Sequence, residues 1–469
     1  MAALQTKLSF FLIVFLSFGT AYSQEDTLHV RDFIEFQHAG KFQDALNLTD
    51  AEFQTKVNAQ TLAQIWQSLI QQFGEYKGIQ QLEALKKGTF TVLNATVEYD
   101  RALVVLQHTL NPAHKIVGFF VVKQAPKKTS QEPVPPYPYH SQEVTFKNEK
   151  AGITLAGTLT FPKREGTFPV VVLISGSGPQ NRDEEIVGHK PFLVLSDYLT
   201  RKGIAVLRYD DRGVADSEGD FEEATTADFA TDAGAAVYYL QSRPEINKRK
   251  IGLIGHSEGG AIAPMVAADN ASVGFIVLLA GPGIPGDQLL LIQQELIGKA
   301  SGVSDSVLNQ STALNERLFT LVKNTEDEST LQSKLIGFMG SSDLTDRGIL
   351  PGQSKEAFIQ KQADMLASPW MRYFLKYDPA VNLRSVTCPV LALNGEKDLQ
   401  VPPEVNLTAI KKYLAEGGNN RVTARELKGL NHLFQECTTG SPSEYASIQQ
   451  TFSPEALGII SDWVLSESK

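Results

Sequence analysis

Residues 255–259 form a Gly-x-Ser-x-Gly motif with Ser257 at its centre. The motif follows a short apolar run typical of a buried strand, and a helix is predicted over Gly259–Ala268. At such a turn a serine is held in a strained conformation above the sheet, and Gly255 and Gly259 let the backbone pack closely around it. The helix N-terminus also favours developing negative charge. We therefore predict that Ser257 is a nucleophile.

A serine hydroxyl is a weak nucleophile unless a base lies within hydrogen-bond reach and a third group orients that base. His432 is the predicted base, on a loop between a strand and the last helix, and Asp398 is the predicted orienting acid, just past an apolar strand. Glu396 is the nearest alternative to Asp398. Ser, Asp and His follow one another in the order found at successive strand ends in serine hydrolases. The sequence therefore predicts a catalytic triad.

An acyl-transfer site also needs two preorganised donors for the oxyanion. The N–H of Glu258, the residue after the nucleophile, is the predicted first donor, and the N–H of Ser177, in a glycine-rich loop over residues 175–179, is the second. We interpret the neighbouring His256 as a packing residue and residues 210–212 as a structural turn beside the site. The eight histidines are scattered without zinc-site spacing, so no metal and no organic cofactor are predicted.

Short apolar runs alternate with helical patterns after residue 141, which indicates an α/β domain with a mostly parallel sheet and helices on both faces. We assign residues 141–285 and 385–469 to this core. Ligands are expected at the carboxyl ends of its strands. The predicted strands are Glu143–Asn148, Ile153–Phe161, Phe168–Ile174, Gly203–Tyr209, Lys250–Ile254, Gly274–Ala280, Pro389–Asn394 and Val422–Leu427.

Residues 286–384 show only helical patterns and interrupt this alternation. The segment leaves the carboxyl end of a strand, so we predict a helical lid over the site; a separate helical domain is the alternative. Trp370, Tyr373 and Phe374 either line an acyl pocket from the lid or pack in its core.

Residues 24–124 have two helical segments, Asp26–Leu46 and Thr61–Phe73, followed by β-rich runs, which predicts a small α+β domain. The proline-rich residues 125–140 break every pattern, so we assign them to a linker. Cys388 and Cys437 are predicted to be free thiols, because a strand of about six residues separates their positions by roughly 20 Å.

The first 23 residues have a lysine, an apolar run over Leu8–Phe18 and small residues before Ser23, the pattern of a cleaved signal peptide. A membrane anchor is the alternative, but the run is shorter than the roughly 20 residues that span a bilayer, so no stable membrane insertion is expected. Export would end in a periplasm or outside the cell. The net charge of −10 and the lack of a basic stripe argue against nucleic acid as a partner.

Residues 141–469 resemble the α/β-hydrolase superfamily, and three segments are similar to bacterial serine carboxylesterases of the EstD type. The segments are Ser175–Asp183, Leu207–Gly213 and Gly255–Gly260. The resemblance implies an α/β-hydrolase fold, catalytic roles for Ser257, Asp398 and His432, and oxyanion donors at Ser177 and Glu258. Many members have His-Gly where this chain has Ser-Gly at residues 175–176.

The expected function is hydrolysis of small to medium acyl esters by an exported serine esterase, with a small-molecule ester as its partner. A serine peptidase, a thioesterase or an acyltransferase could use the same triad. A cell-envelope binding protein with a vestigial hydrolase domain is the alternative from another class.

Overall fold

Residues 24–87, 89–100, 102–126, 131–342 and 354–469 are described by the computed structural model. They fall into two units, one within Leu16–Ser130 and one over Gln131–Lys469. The predicted signal peptide lies outside the described residues, as do residues 127–130 of the predicted linker and residues 343–353 of the predicted lid.

The first unit places four helices before an antiparallel sheet in the order β1-β2-β3-β4. This arrangement confirms the predicted α+β character of the segment. The helices are α1 (Gln24–His38), α2 (Phe42–Asn47), α3 (Ala51–Lys56) and α4 (Ala59–Phe73), and the strands are β1 (Tyr76–Lys87), β2 (Phe90–Tyr99), β3 (Ala102–Leu110) and β4 (Ile116–Pro126).

The helical segment predicted over Asp26–Leu46 is divided between two helices, α1 and α2. The chain turns after α1 at Gly40, whose φ of 73° lies in the left-handed region that glycine adopts without strain. Helix α4 packs the buried Leu62, Trp66 and Phe73 against alternate residues of β2, which form the core of this unit.

The second unit contains an eight-stranded sheet in the order β12-β11-β10-β9-β7-β8-β6-β5. Strands β7 to β12 pair in parallel, whereas β5 and β6 form an antiparallel hairpin whose second strand pairs with β8. The strands are β5 (His140–Asn148), β6 (Ile153–Phe161), β7 (Phe168–Ile174), β8 (Ala205–Tyr209), β9 (Ile246–His256), β10 (Val273–Leu279), β11 (Val390–Gly395) and β12 (Val422–Leu427).

Helices cover both faces of this sheet. Alternate residues of β7 show why: Val170 and Val172 pack in the core on one face, while Val171 and Leu173 pack in the core on the other. The first face is covered by α6 (Thr226–Ser242), α7 (Glu258–Asp269) and α14 (Pro403–Glu416), and the second by α5 (Pro191–Arg201) and α15 (Pro454–Glu467). The predicted mostly parallel sheet with helices on both faces is confirmed.

The segment between β10 and β11 consists of helices and short loops, with no strand among its described residues. Its helices are α8 (Gly286–Ala300), α9 (Asp305–Lys323), α10 (Glu328–Ser341), α11 (Lys355–Ala367), α12 (Pro369–Lys376) and α13 (Ala380–Leu383). They share an apolar core of their own, which includes Leu318, Leu335 and Ile359. No helix among the described residues is long and apolar enough to span a bilayer.

The carboxyl ends of β7, β9, β11 and β12 lie at the same edge of the sheet, because these strands are parallel and β7 and β9 are neighbours. The four segments that hold the predicted site residues each begin there. Cys388 and Cys437 are free thiols in the structure, as predicted, and burial raises the pKa of each thiol to about 11.

Candidate active site

Ser257 occupies a sharp turn between the last residue of β9 and the first residue of α7. Its φ of 52° and ψ of −115° lie outside the regions that L-residues ordinarily populate. The turn is fixed because the Ser257 N–H donates to the Leu279 carbonyl at 2.8 Å and the Ser257 carbonyl accepts from Gly260 at 2.8 Å. Strain of this kind persists only where the surrounding structure enforces it, and it is common at functional sites.

The two glycines of the motif are required by close backbone contacts. A Cβ atom on Gly255 would lie 1.9 Å from the Gly259 carbonyl oxygen, and one on Gly259 would lie 2.1 Å from the Ile174 carbonyl oxygen. Both distances are far inside van der Waals contact. A glycine at each position therefore allows α7 to pack directly onto the ends of β7 and β9.

His432 and Asp398 are joined by a buried hydrogen bond. The His432 Nδ1–H donates to Asp398 Oδ2 at 2.8 Å, while Asp398 Oδ1 accepts from the N–H groups of Gln400 and Val401, each at 2.8 Å. Both side chains are almost fully buried. The rival carboxylate Glu396 is exposed and accepts instead from the Gly429 N–H. The geometry therefore favours Asp398 as the partner of this imidazole.

The segment that carries Ser257 contacts the His432 loop through His256. The ring of His432 lies 4.9 Å from that of His256, the residue that precedes Ser257, and its carbonyl lies 3.0 Å from His256 Nε2. Within the described part of the chain, no hydrogen bond joins the Ser257 hydroxyl to His432. The structure thus forms one of the two links expected of a triad, and the residue before Ser257 contacts both the ring and the main chain of His432.

The two predicted oxyanion donors are free of protein acceptors. Among the described residues, neither the Ser177 N–H nor the Glu258 N–H makes a hydrogen bond, and Glu258 is the first residue of α7. The loop that carries Ser177 lies against the nucleophile, since a Cβ on Gly176 would lie 3.2 Å from the Ser257 Cβ. Unpaired N–H groups beside a serine can bind a developing negative charge.

The glycine-rich loop is anchored by Asp211. The Ser175 hydroxyl donates to Asp211 Oδ1 at 2.7 Å, and the Gln180 N–H donates to Oδ2 at 3.0 Å. Burial raises the pKa of the Asp211 carboxyl well above its usual value. Ser175 thus makes a hydrogen bond that supports the loop. Asp210 binds Arg182, so the predicted structural turn is an anchoring point beside the site.

The side chain of Glu258 is buried between three segments. Its Oε1 accepts from the Thr226 hydroxyl at 2.6 Å and from the Trp370 indole N–H at 2.7 Å. Burial raises the pKa of this carboxyl, and hydrogen bonds from Thr226, Trp370 and the Ser177 side chain oppose the shift. The carboxyl therefore links the nucleophile helix to the oxyanion loop and to α12 of the insertion.

The three aromatic residues predicted to line an acyl pocket lie in different environments. Trp370 is half-buried, contacts Glu258 and stacks on Phe374 with ring centroids 5.1 Å apart. Phe374 is only 5% exposed and packs in the core of the sheet face that α5 covers. Tyr373 packs against the helix that follows the nucleophile. Of the three, Trp370 is thus the one that bonds Glu258, and Phe374 stacks against its ring.

A second histidine–carboxylate pair, which the sequence did not indicate, lies beside the first. His256 Nδ1 is 2.8 Å from Oε1 of the buried Glu184, and the same oxygen accepts from the Gly176 N–H at 2.7 Å. Although burial opposes it, the charge and hydrogen bond of Glu184 raise the pKa of His256. The only sequence signal was that Glu184 directly follows the segment Ser175–Asp183. Our interpretation of His256 as a packing residue missed this pair.

A narrow recess beside the loop mixes apolar and acidic groups. Its lining residues are Ile174, Ser175, Gly176, Gly178, Tyr209, Asp211, Phe229, Glu258 and Ile262. Over the ranges that the structure describes, no group of three or more His, Cys, Asp or Glu side chains is placed to hold a metal ion. The arrangement holds an imidazole oriented by a carboxylate and two unpaired N–H groups near a strained serine, which are the parts that acyl transfer requires.

Two families of known proteins match this chain. Residues 171–447 match a family described as "Alpha/beta hydrolase family"; this range covers most of β7, strands β8 to β12, the insertion and the site described above. Residues 30–119 match a family described as "Protein of unknown function (DUF3887)", which covers most of the first unit.

One curated relative matches along nearly the whole chain. "Esterase EstD" of Thermotoga maritima is 27% identical over 436 residues, which cover 91% of this chain and 92% of that protein. Among solved structures, an esterase of Pyrococcus furiosus, Pf2001, matches with a TM-score of 0.42 and 16% identity over 71% of this chain and 97% of its own. Est1E of Butyrivibrio proteoclasticus, solved with ferulic acid, matches with a TM-score of 0.39 and 16% identity, covering 69% and 96%.

Proposed function

Because the chain belongs to the alpha/beta hydrolase family, we propose that it is an exported serine carboxylesterase that cleaves small to medium acyl esters. The observation that carries the proposal is the strained turn at Ser257, beside a buried His432–Asp398 pair and two unpaired N–H groups. The similarity to "Esterase EstD", over nine-tenths of both chains, supports an ester as the substrate.

In the acylation step, His432 takes the proton of the Ser257 hydroxyl as the oxygen attacks the ester carbonyl. Asp398 holds the imidazole through Nδ1, which leaves Nε2 free to act as the base. The N–H groups of Ser177 and Glu258 bind the oxyanion of the tetrahedral intermediate. His432 then returns the proton to the departing alcohol, and the acyl group stays on Ser257.

In the deacylation step, a water takes the place of the alcohol. His432 removes a proton from this water, which attacks the acyl carbonyl, and the same two N–H groups bind the second oxyanion. The proton returns to Ser257 as the acid leaves. Both steps use side chains and N–H groups of this chain alone, so the mechanism calls on no metal and no organic cofactor.

We assign the helical insertion the role of a lid that shapes the acyl pocket. The support for this role is the contact of Trp370 with Glu258, since it brings a side chain of α12 next to the nucleophile helix. The recess below it is lined by the apolar Phe229 and Ile262, among others. We propose that the lid, when it encloses a substrate, completes a partly apolar pocket for small or medium acyl groups.

We also infer that the chain is exported after cleavage behind Ser23, to a periplasm or to the outside of the cell. The support is the charged, apolar and small-residue pattern of residues 1–23. Expression of the full chain with its native N-terminus, followed by N-terminal sequencing of the exported protein, tests this inference. We expect Gln24 as the first residue; an uncleaved N-terminus on a membrane-bound protein would contradict it.

The test of the catalytic proposal is labelling of the mature protein with a fluorophosphonate, which reacts with activated serines. Mass spectrometry is expected to locate the adduct on Ser257, and Ser257→Ala is expected to remove it. Ser385→Ala, at an exposed serine, is the matched control and should label as the wild type does. A folded wild type that stays unlabelled would refute the esterase proposal and favour a binding protein with a vestigial hydrolase domain.

Paired substrates then test the bond that is cleaved. Hydrolysis rates are compared for p-nitrophenyl esters of acetate, butyrate, octanoate and palmitate and for the matching anilides and thioesters. We expect the esters to react fastest and the rate to fall between octanoate and palmitate. Faster cleavage of the anilides would contradict the esterase assignment and indicate a peptidase.

A further inference from the structure

Glu184 has two unfavourable features: a strained backbone conformation and a buried carboxylate oxygen without a hydrogen-bond partner among the described residues. Its φ of 51° lies in the left-handed region, which a non-glycine residue adopts at a cost. The side chain is fully buried, and within the described part of the chain its Oε2 has no hydrogen-bond partner. Buried polar atoms without a partner are rare in native proteins, and both features concentrate at functional sites.

The other oxygen of this carboxylate holds two active-site segments at once. Glu184 Oε1 accepts from the Gly176 N–H at 2.7 Å and lies 2.8 Å from His256 Nδ1. Gly176 precedes the oxyanion donor Ser177, and His256 precedes the nucleophile. Glu184 Oε1 therefore connects the oxyanion loop to the turn that carries Ser257.

His256 extends this link to the third segment of the site. Its Nε2 lies 3.0 Å from the main-chain carbonyl of His432, and a carbonyl can only accept, so Nε2 carries a proton. Its Nδ1 faces the carboxylate oxygen of Glu184 and also donates when that carboxylate is ionised. Both ring nitrogens then carry protons, and His256 is an imidazolium in a buried ion pair.

We propose that Glu184 and His256 are positioning residues: they form a buried ion pair that fixes the oxyanion loop, the nucleophile turn and the His432 loop at one spacing. The inference rests on the proposed esterase function and names residues outside its triad and oxyanion donors. Neither side chain touches the ester; each acts through the residue beside it. The partner-free oxygen and the strained backbone of Glu184 are thereby explained as features retained for the site rather than for the fold.

The charge on His256 is set by the groups around it. Glu184 and the acceptor carbonyl of His432 favour the imidazolium, as does the more distant Asp398, whereas burial opposes it. The result is a pKa above the ordinary value of a histidine. Activity that depends on this ion pair is present while His256 is protonated and is lost as the pH rises through that pKa.

Two substitutions at one position separate the geometry from the charge. Glu184→Ala removes the shared acceptor, so we expect kcat for p-nitrophenyl butyrate to fall about 10²-fold, the low end for loss of one oxyanion donor, with KM changed less than kcat. Glu184→Gln keeps an oxygen for both donors and removes the charge, so we expect a smaller loss of about tenfold, since charge-assisted hydrogen bonds are about twice as strong as neutral ones. In Glu184→Gln the alkaline limb of the kcat profile should move to lower pH.

Glu185→Gln is the matched control, because Glu185 is the exposed neighbour of the same residue type, and it should behave as the wild type. Circular dichroism and thermal unfolding establish that each variant is folded. A folded Glu184→Ala enzyme with wild-type kcat and an unchanged pH profile would overturn the proposal. So would a loss of kcat matched by an equal loss of folded protein.

NMR of the wild-type protein labelled with ¹⁵N-histidine needs no variant that could fail to fold. His256 is expected to show two ring N–H protons at pH 7, where an exposed histidine is mostly neutral, and its signals are assigned by their absence from His256→Gln. One ring proton at pH 7 would overturn the ion pair. If the wild type neither hydrolyses esters nor labels, the proposed function fails, while the NMR result still decides whether the ion pair exists.

Discussion

Asp398→Asn is expected to abolish nearly all activity while leaving the fold intact, because the structure dictates which way the new amide must face. Asp398 Oδ1 accepts two buried N–H groups, from Gln400 and Val401, so the amide oxygen must take that place. The amide NH₂ then faces His432 Nδ1, where Oδ2 accepted a proton before. Nδ1 must accept, the proton moves to Nε2, and the imidazole can no longer serve as the base for Ser257.

The size of the effect follows from the two orientations of the amide. The opposite orientation would restore the tautomer in which Nδ1 carries the proton. It would, however, point the amide NH₂ at the N–H groups of Gln400 and Val401. Each buried donor left without an acceptor costs about 1–3 kcal/mol. The sum, about 2–6 kcal/mol, brackets the 5.4 kcal/mol or so that corresponds to a 10⁴-fold loss of rate. We expect a loss near 10⁴-fold, the value typical of wrong-tautomer substitutions in serine triads.

The assay is steady-state hydrolysis of p-nitrophenyl butyrate, with thermal unfolding measured on the same samples. Glu396→Gln is the control, since Glu396 is the rival carboxylate two residues away and bonds the Gly429 N–H instead. It should retain activity within about twofold, as expected for an exposed side chain outside the chemistry. The reasoning is refuted if Asp398→Asn retains more than a tenth of the wild-type kcat, or if Glu396→Gln is the inactive variant.

Three further perturbations test the surroundings of the nucleophile. Gly259→Ala would place a Cβ 2.1 Å from a carbonyl oxygen at the end of β7, so we expect either a large loss of stability, measured by urea unfolding, or a displaced turn with little fluorophosphonate labelling. Trp370→Phe keeps an aromatic ring and removes one donor to the buried Glu258, so the free energy of unfolding should fall by about 1–3 kcal/mol, and unchanged stability would count against that hydrogen bond. Finally, the pKa of His256 is raised in the folded state, so the folded protein binds more protons than the unfolded chain above about pH 6.5, and its unfolding free energy should fall as the pH rises through that range. Urea titrations between pH 6 and 9 should show this slope in the wild type and a flatter one in Glu184→Gln.

The sequence by itself determined the motifs and elements that depend only on residues close together along the chain. The Gly-x-Ser-x-Gly turn is local: a strand, a nucleophile and a helix follow one another within a dozen residues, and the periodicity of the apolar positions gives each element its type. The bounds of β6, β7 and β12 agree with the sequence prediction, and β6 and β7 are mostly buried apolar runs between clear breaks. The sequence predicted Asp398 with Glu396 as its rival, and the structure joins Asp398 to His432.

Only the tertiary structure decided the interactions between distant segments. His256 meets Glu184 across 72 positions and the carbonyl of His432 across 176, and Glu258 meets Trp370 across 112. Each of these residues has an ordinary local pattern, since a lone glutamate or histidine on a loop is no different in sequence from a solvated one. Which carboxylate enters the site is set by how the parallel strands bring their carboxyl ends together, and that juxtaposition is a property of the folded sheet.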